Sequence, residues 1–463
     1  MLRPSDAFSI RRGEVNAEMY VHRPDLESAL VRAIHSGQHI AITGESGCGK
    51  SWLYKSVFQE NNVFYKTVNL ALATDDGDIS SAIVRTVLEG KAVLKETEKR
   101  SGMAAMLQIF GLSRETARRY GQVHEEPFLA CARAMRAQAK KRSAFVVFEN
   151  LEQVASDPKI LKQLARLAML LDDEKYSAED VRLCFVGTSS DMMDLLSGSG
   201  NLPVRQRIFE MPEVSRLSED EADTLVMRGF VGYLGYGKPD VETVVDEIVW
   251  DADRIPQHIQ ALCFYFADAL ARNEHKFDGD LLAEARISWL QSQQNGAYAT
   301  IAKNMTLSRD AVGRKNQLLY TLGQLEKIDF SHKEVEAAFR AEFPNTTLEK
   351  GLNVAGMMAE FTRDPAIIRK SPVASTLYRF SSPIYRIAIR AMLVKDESER
   401  VTALSPEDFA RGATAAAQES ASKPPKKAAT QSVTRRRYAP STGVSKRQAR
   451  RAHGRSGGSA SRA

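Results

Sequence analysis

The run His39-Ile40-Ala41-Ile42-Thr43-Gly44-Glu45-Ser46-Gly47-Cys48-Gly49-Lys50-Ser51-Trp52-Leu53-Tyr54 decides the fold. An apolar, strand-like segment feeds a loop with the spacing G-x-x-x-x-G-K-S, and the loop opens into a helix-compatible segment, the context that a phosphate-binding loop requires. Gly44, Gly47 and Gly49 permit backbone conformations that a β-carbon resists, so successive N–H groups can turn inward as an anion nest. Lys50 is then expected to reach the β and γ phosphates, and the Ser51 hydroxyl to ligate Mg²⁺. The start of the following helix adds its positive end. Glu45, Ser46, Cys48 and Trp52 complete the stretch expected to line the nucleotide. A Gly-rich turn that contains Lys-Ser by chance is the alternative, and the strand and helix on either side argue against it.

The rest of the chain is read outward from that loop. With 463 residues, 43% of them hydrophobic, the chain has room for about three domains with real cores. Its four cysteines, Cys48, Cys131, Cys184 and Cys263, show no paired spacing, so neither a disulfide framework nor a zinc site is expected. A reducing, cytoplasmic setting is the expectation. Met1-Leu2-Arg3-Pro4-Ser5-Asp6 lacks the apolar core of a signal peptide, and no apolar run approaches membrane-spanning length, so no membrane partner is expected. The formal charge of +6 has one source: residues 421–463 hold 12 Lys and Arg and no Asp or Glu, which leaves 52 basic against 58 acidic residues elsewhere.

Residues 1–14 read as a weakly structured N-terminal extension. A helical pattern follows through Ala29, Leu30, Val31 and Ile34, with Pro24 suited to its first turn. After the loop and its helix, Asn62–Leu70 reads as a second strand, and Asp75-Asp76-Gly77-Asp78 separates it from a mostly helical stretch over 79–141. Ala144-Phe145-Val146-Val147-Phe148-Glu149-Asn150-Leu151-Glu152 is an apolar strand with acidic and amide groups at its carboxyl end, where open α/β sheets bind ligands. Helix over Ile160–Leu171, a fourth strand over Val181–Gly187 leading to Thr188-Ser189-Ser190, and a short fifth over Arg207–Met211 complete an α/β pattern with a parallel sheet. From Leu217 to about Gln293 the pattern is helical, opening on the capping-box pair Ser218 and Glu221.

Helical stretches over Lys315–Glu326, His332–Glu342 and Thr347–Glu360 precede strand-like pieces at Ala366–Arg369 and Thr376–Phe380, and Pro383–Ile389 returns to helix. Three helices and a hairpin form a winged-helix pattern, a variant of helix-turn-helix. The composition then turns to Ala, Ser, Pro and Gly, and from Lys423 it is basic and of low complexity, too poor in apolar residues to offset its ordering entropy. The expected organisation is thus an extension (1–14), a P-loop ATPase domain (15–213), a helical lid (214–300), a winged-helix-like domain (301–400) and a disordered basic tail (401–463).

With these pieces in place, the chain resembles the AAA+ and related signal-transduction P-loop ATPases, whose sheet carries an additional strand between the phosphate loop and the acidic strand. The resemblance spans roughly residues 15–400 and is greatest to the origin-recognition-like branch, with its C-terminal winged helix. It implies ATP and Mg²⁺ as cofactors. Position by position, it implies that Glu149 takes the place of the Mg²⁺-linked Asp, alongside Ser51. Asn150 falls where that class has an acidic water activator; an amide can position water but cannot accept its proton, so a general base, a ~10²–10⁴-fold effect, would have to come from elsewhere. Glu152 is the nearest substitute, or else a plain helix-start carboxylate. Thr188 and Ser189 fall at the first sensor, or else cap the next helix. Arg207, ahead of Arg205, falls at the arginine finger supplied in trans, or else is an ordinary surface residue. In Asp253-Arg254-Ile255-Pro256-Gln257-His258-Ile259, Gln257 stands where the second sensor has an arginine, leaving Arg254 or His258 to serve.

Two functions follow. The first is an ATP-hydrolysing switch ATPase coupled to DNA or to a DNA-acting complex of the replication, transposition or antiviral-defence type, working as a homo-oligomer or with an effector protein. The second is a slow or non-hydrolysing ATP-gated sensor or scaffold that recruits a separate effector. For the tail, one reading is sequence-independent attachment to nucleic acid through counterion release, the other a solubilising tether.

Overall fold

Five runs of apolar and β-branched residues form one parallel sheet: β1 (His39–Thr43), β2 (Phe64–Asn69), β3 (Ala144–Glu149), β4 (Val181–Gly187) and β5 (Ile208–Glu210), in the order β2-β3-β4-β1-β5. In β1 and β4 every residue is buried, as in a parallel strand covered on both faces. Ile40 stands opposite Cys184, and Ala144 opposite Val181, so β4 lies between the strand that feeds the phosphate loop and the strand that ends in Glu149. This is the P-loop NTPase fold with the additional strand that the sequence predicts. The computed structural model describes residues 3–8, 15–71, 79–88, 127–155, 157–171, 173–188, 202–293, 295–306, 313–348, 351–371 and 373–403. The expected breaker Asp75–Asp78, much of the 79–141 helical stretch, Ser189 and all of the tail beyond Ala403 lie outside them.

The helices of this unit follow from their caps and stripes. Helix α1 (Pro24–His35) begins on Pro24 and buries Leu26, Ala29, Leu30, Ala33 and Ile34. Helix α2 (Lys50–Glu60) issues from the loop. Helices α3 (Ile79–Leu88) and α4 (Pro127–Ala139) follow, and Ile83, Val87, Phe128, Ala132 and Met135 join the core beneath β2 and β3. Helix α5 (Pro158–Leu170) starts two residues before its apolar stripe suggests, because the Asp157 carboxylate accepts from the N–H groups of Lys159 and Ile160 and Pro158 takes the first turn.

Among the described residues the chain forms two compact units, residues 15–216 with this sheet, and residues 217–403 together with 3–8. In the second, α6 (Glu219–Met227) opens on the predicted capping box, with Ser218 and Glu221 satisfying each other's backbone N–H groups. Helices α7 (Val245–Asp251), α8 (Pro256–Arg272) and α9 (Leu281–Gln293) continue it. Residues 3–8 are better ordered than their sequence suggests: Pro4–Ala7 is helical, and Phe8 is fully buried against Phe230, ring centroids 4.9 Å apart.

Further on, α10 (Asn295–Asn304), α11 (Arg314–Gln324), α12 (His332–Glu342) and α13 (Val354–Phe361) precede α14 (Pro383–Met392). The single helix expected over 347–360 is instead a short turn, Pro344–Thr347, followed by α13, which starts after Asn353 in a left-handed conformation. The expected hairpin is present as β7 (Ile368–Lys370) and β8 (Leu377–Phe380), and β8 also pairs with β6 (Phe330–Ser331). Two residues carry no periodicity, so β6 is invisible in sequence. The same holds for the small hairpin of β9 (Leu393–Lys395) and β10 (Val401–Ala403), which keeps regular structure going to Ala403.

Candidate phosphate-binding site

Gly47 (φ 82°) and Gly49 (φ 92°) occupy the left-handed region, which a β-carbon disfavours. Gly44 is required for a different reason. A β-carbon there would sit 2.3 Å from the Val214 carbonyl oxygen, because Val214 N–H donates to Thr43 O at 2.7 Å and brings that segment against the loop. Gly44→Ala is therefore expected to cost about 1–3 kcal/mol of stability, read as a lower Tm; an unchanged Tm would mean that Val214 can move aside freely.

At the start of α2, Lys50 Nζ donates to the carbonyls of Gly44 (2.8 Å) and Glu45 (2.9 Å). Burial holds its pKa below the ordinary lysine value, with the Glu45 and Glu152 carboxylates among the groups pulling it back up. Ser46 is exposed and Trp52 half-buried. Cys48 faces inward, and burial pushes its thiol up to about 12. It is thus an inert apolar filler rather than a nucleophile.

Ser51 and Glu149 meet. Ser51 Oγ donates to Glu149 Oε1 at 2.7 Å, and the Tyr54 hydroxyl donates to the same oxygen at 3.0 Å. Burial and the Glu149 charge push the Tyr54 phenol well above its usual range, so it stays a donor. A hydroxyl and a carboxylate are hard oxygen donors of the kind Mg²⁺ takes while keeping waters and phosphate oxygens as its other ligands. The residues present therefore fit that ion. Asn150, in a left-handed conformation (φ 62°), donates from Nδ2 to Asn69 Oδ1 at 2.9 Å, and Asn69 lies at the end of β2, opposite Glu149. Glu152 is exposed in the 3-10 turn Leu151–Val154. Thr188 follows directly on Gly187, which is paired with Thr43, so it stands at the same end of the sheet as the loop.

Residues 32–196 match the AAA domain family. That segment holds the loop, Glu149, Asn150 and Thr188; the family match leaves out the remainder of the chain. No curated protein matches the sequence. Among solved structures, the chain is similar to a Walker-type ATPase of Pyrococcus abyssi, at 13% identity and a TM-score of 0.48 over 82% of this chain and 98% of that one. It is also similar to the ORC2 protein of Aeropyrum pernix (13%, TM-score 0.43, 88% and 98%) and to Cdc6p of Pyrobaculum aerophilum (13%, TM-score 0.41, 82% and 98%).

The remaining sequence-predicted residues belong to other elements. Arg205 is exposed near Glu210 (3.7 Å), and Arg207 Nη1 donates to Pro203 O at 2.7 Å. Both precede β5 at its amino end, beside His39, whereas the loop leaves the carboxyl end of β1, about 16 Å along a strand of this length. Arg254, Gln257 and His258 belong to the second unit, where the Arg254 carbonyl accepts from Leu217 N–H at 3.0 Å and the His258 ring lies 5.9 Å from that of Trp289.

Four residues at the loop escape a sequence reading: Tyr54, Asn69, Arg23 and Arg216. Tyr54 had a signal, since it follows Ser51 by three positions on a helix and so shares its face. Asn69 is reached only through strand pairing. Arg23 and Arg216 come from far along the chain, and Arg216 clasps Glu45 with bonds of 2.7 and 3.2 Å.

Proposed function

We propose that the chain is an ATP-binding and ATP-hydrolysing switch ATPase of the AAA+ kind, coupled to DNA or to a DNA-acting complex. The observation that carries the reading is the Ser51–Glu149 bond, which unites the loop after β1 with the acidic end of β3 beside Lys50. In this reading Lys50 exchanges its two carbonyl partners for phosphate oxygens, and Ser51 and Glu149 hold Mg²⁺. The ion would neutralise charge on the transferred phosphoryl group. Thr188, with Ser189, would orient the γ-phosphate or the attacking water. Arg207, or Arg205, would act in trans on the loop of a second copy, in keeping with its distance from its own.

Residues 15–213 would form the ATPase domain, 214–300 the lid and 301–400 a winged helix. The order of α11, β6, α12, α13, β7 and β8 supports the last of these. DNA contact is assigned first to residues 421–463 of the basic tail, whose 12 positive and no negative residues suit phosphate binding without sequence preference.

Asn150 favours a second reading, an ATP-gated sensor or scaffold with little turnover that recruits an effector protein. Steady-state ATP hydrolysis separates the two, measured on the intact chain and on a chain ending at residue 420, with and without duplex DNA. The switch reading expects DNA to stimulate turnover, and truncation to weaken DNA retention at low salt and to flatten its salt dependence. Tight ATP binding with negligible turnover throughout favours the sensor. Retention and salt slope unchanged by truncation would remove the tail from the DNA contact.

A further inference from the structure

Glu45 brings into the phosphate loop a charge of the same sign as a polyphosphate. Its carbonyl accepts from Lys50 Nζ, so the residue is part of the cradle itself. Its carboxylate is gripped by Arg216, Nε to Oε2 at 2.7 Å and Nη2 to Oε1 at 3.2 Å, a two-pronged pairing that fixes direction as well as charge. The Arg216 and Glu45 side chains are 4% and 15% exposed, so this is no solvent-screened surface pair, and removing Arg216 leaves the Glu45 carboxylate without the fork that grips it.

Arg216 is itself held against the loop. Arg23 donates from Nη1 to Cys48 O at 3.2 Å, and from Nη2 to Ser215 O at 2.7 Å and Arg216 O at 3.4 Å, tying loop backbone to the segment that carries Arg216. The bond from Val214 N–H to Thr43 O ties the same segment to the end of β1. Both charges are felt inside the loop: Glu45 raises and Arg216 lowers the pKa of the Cys48 thiol, beneath the larger effect of burial.

We propose that Arg216 is a positioning residue of the phosphate loop, which holds and neutralises the Glu45 carboxylate so that the loop can accept a triphosphate. The inference rests on ATP binding by the loop. It predicts that affinity depends on the pair rather than on Arg216 alone, because the damage done by losing Arg216 is the stranded carboxylate.

The test is binding of Mg·ATP and Mg·ADP to the full chain by calorimetry, for wild type, Arg216→Met, Glu45→Gln, the double variant and Arg216→Lys. Arg216→Met is expected to weaken ATP binding by about tenfold or more, and ADP binding less, since ADP carries less negative charge. Arg216→Lys, which keeps the charge without the fork, falls between it and wild type. Glu45→Gln alone binds ATP at least as tightly as wild type, because one negative charge is removed from the cradle. The double variant regains ATP affinity to within about threefold of wild type, the coupling that a merely structural arginine would not show.

A folded double variant as weak as Arg216→Met overturns the proposal, as does Arg216→Met that binds like wild type. If Arg216→Met does not fold, the double variant and Glu45→Gln decide: tenfold weaker ATP binding in either overturns the proposal. A wild-type chain that binds no ATP overturns the loop reading and this inference with it.

Discussion

Replacing Lys50 with alanine is expected to lower ATP turnover by about 10²–10³-fold, the usual cost of removing one preorganised electrostatic group from a transition state. The geometry explains why the loss is large. Lys50 sits on the first residue of a helix, its ammonium is drawn inward onto the Gly44 and Glu45 carbonyls, and burial already lowers its pKa. A cation kept in a poorly solvated cradle gains more from a phosphate oxygen than a surface lysine does, because the competing water is gone. The fold, in contrast, is expected to persist, with stability within about 1 kcal/mol of wild type, because the two hydrogen bonds lost are offset by relief of the buried charge. Thermal denaturation and steady-state hydrolysis measured together check this. Turnover retained in Lys50→Ala would place the chemistry elsewhere, and a collapse in Tm would make Lys50 a structural residue.

The second large effect is a gain. Asn150→Glu is expected to raise turnover by about 10²-fold, at the lower end of what a positioned general base contributes. Asn150 follows Glu149 directly, but its amide is spent on Asn69 Oδ1 and cannot accept a proton from water. A carboxylate at the same position can. The substitution has a cost, since Asn tolerates the left-handed backbone at φ 62° better than Glu does, roughly 1 kcal/mol of stability. A small fall in Tm with a large rise in turnover is therefore the expected signature. Turnover unchanged or lowered would show that the attacking water is not within reach of residue 150, and attention would move to Glu152, which stands exposed two residues further on. The outcome also bears on the sensor reading, because an ATPase slowed by a single amide should be restored by a single carboxylate.

Much of this was legible because short-range physics determines it. The G-x-x-x-x-G-K-S spacing implies a strand, a tight loop and a helix, and β1, two left-handed glycines and α2 occupy those places. The apolar run ending in Glu149 reads as a buried parallel strand, and it is one. Capping chemistry put the start of α6 at Ser218. Where the sequence reading slipped, the signals were too short to carry a period: β6 has two residues, β9 and β10 three each, and the helix expected over 347–360 is interrupted at a left-handed Asn353.

What residue types and their spacing determine by themselves is the local chemistry: which loop can cradle a phosphate and which strand ends in an acid. The tertiary structure alone decides which distant side chains complete that chemistry. Strand order β2-β3-β4-β1-β5 brings Glu149 to Ser51 across an intervening strand and places Asn69 beside Asn150, pairings that no linear pattern encodes. The return of the chain after β5 lays Val214 against Gly44 and Arg216 against Glu45, more than 160 residues along. The physical reason is the same in each case. A hydrogen bond or ion pair at the loop needs its partner within about 3 Å, and only the packing of the sheet and its connections can bring residues so far apart in sequence to that distance.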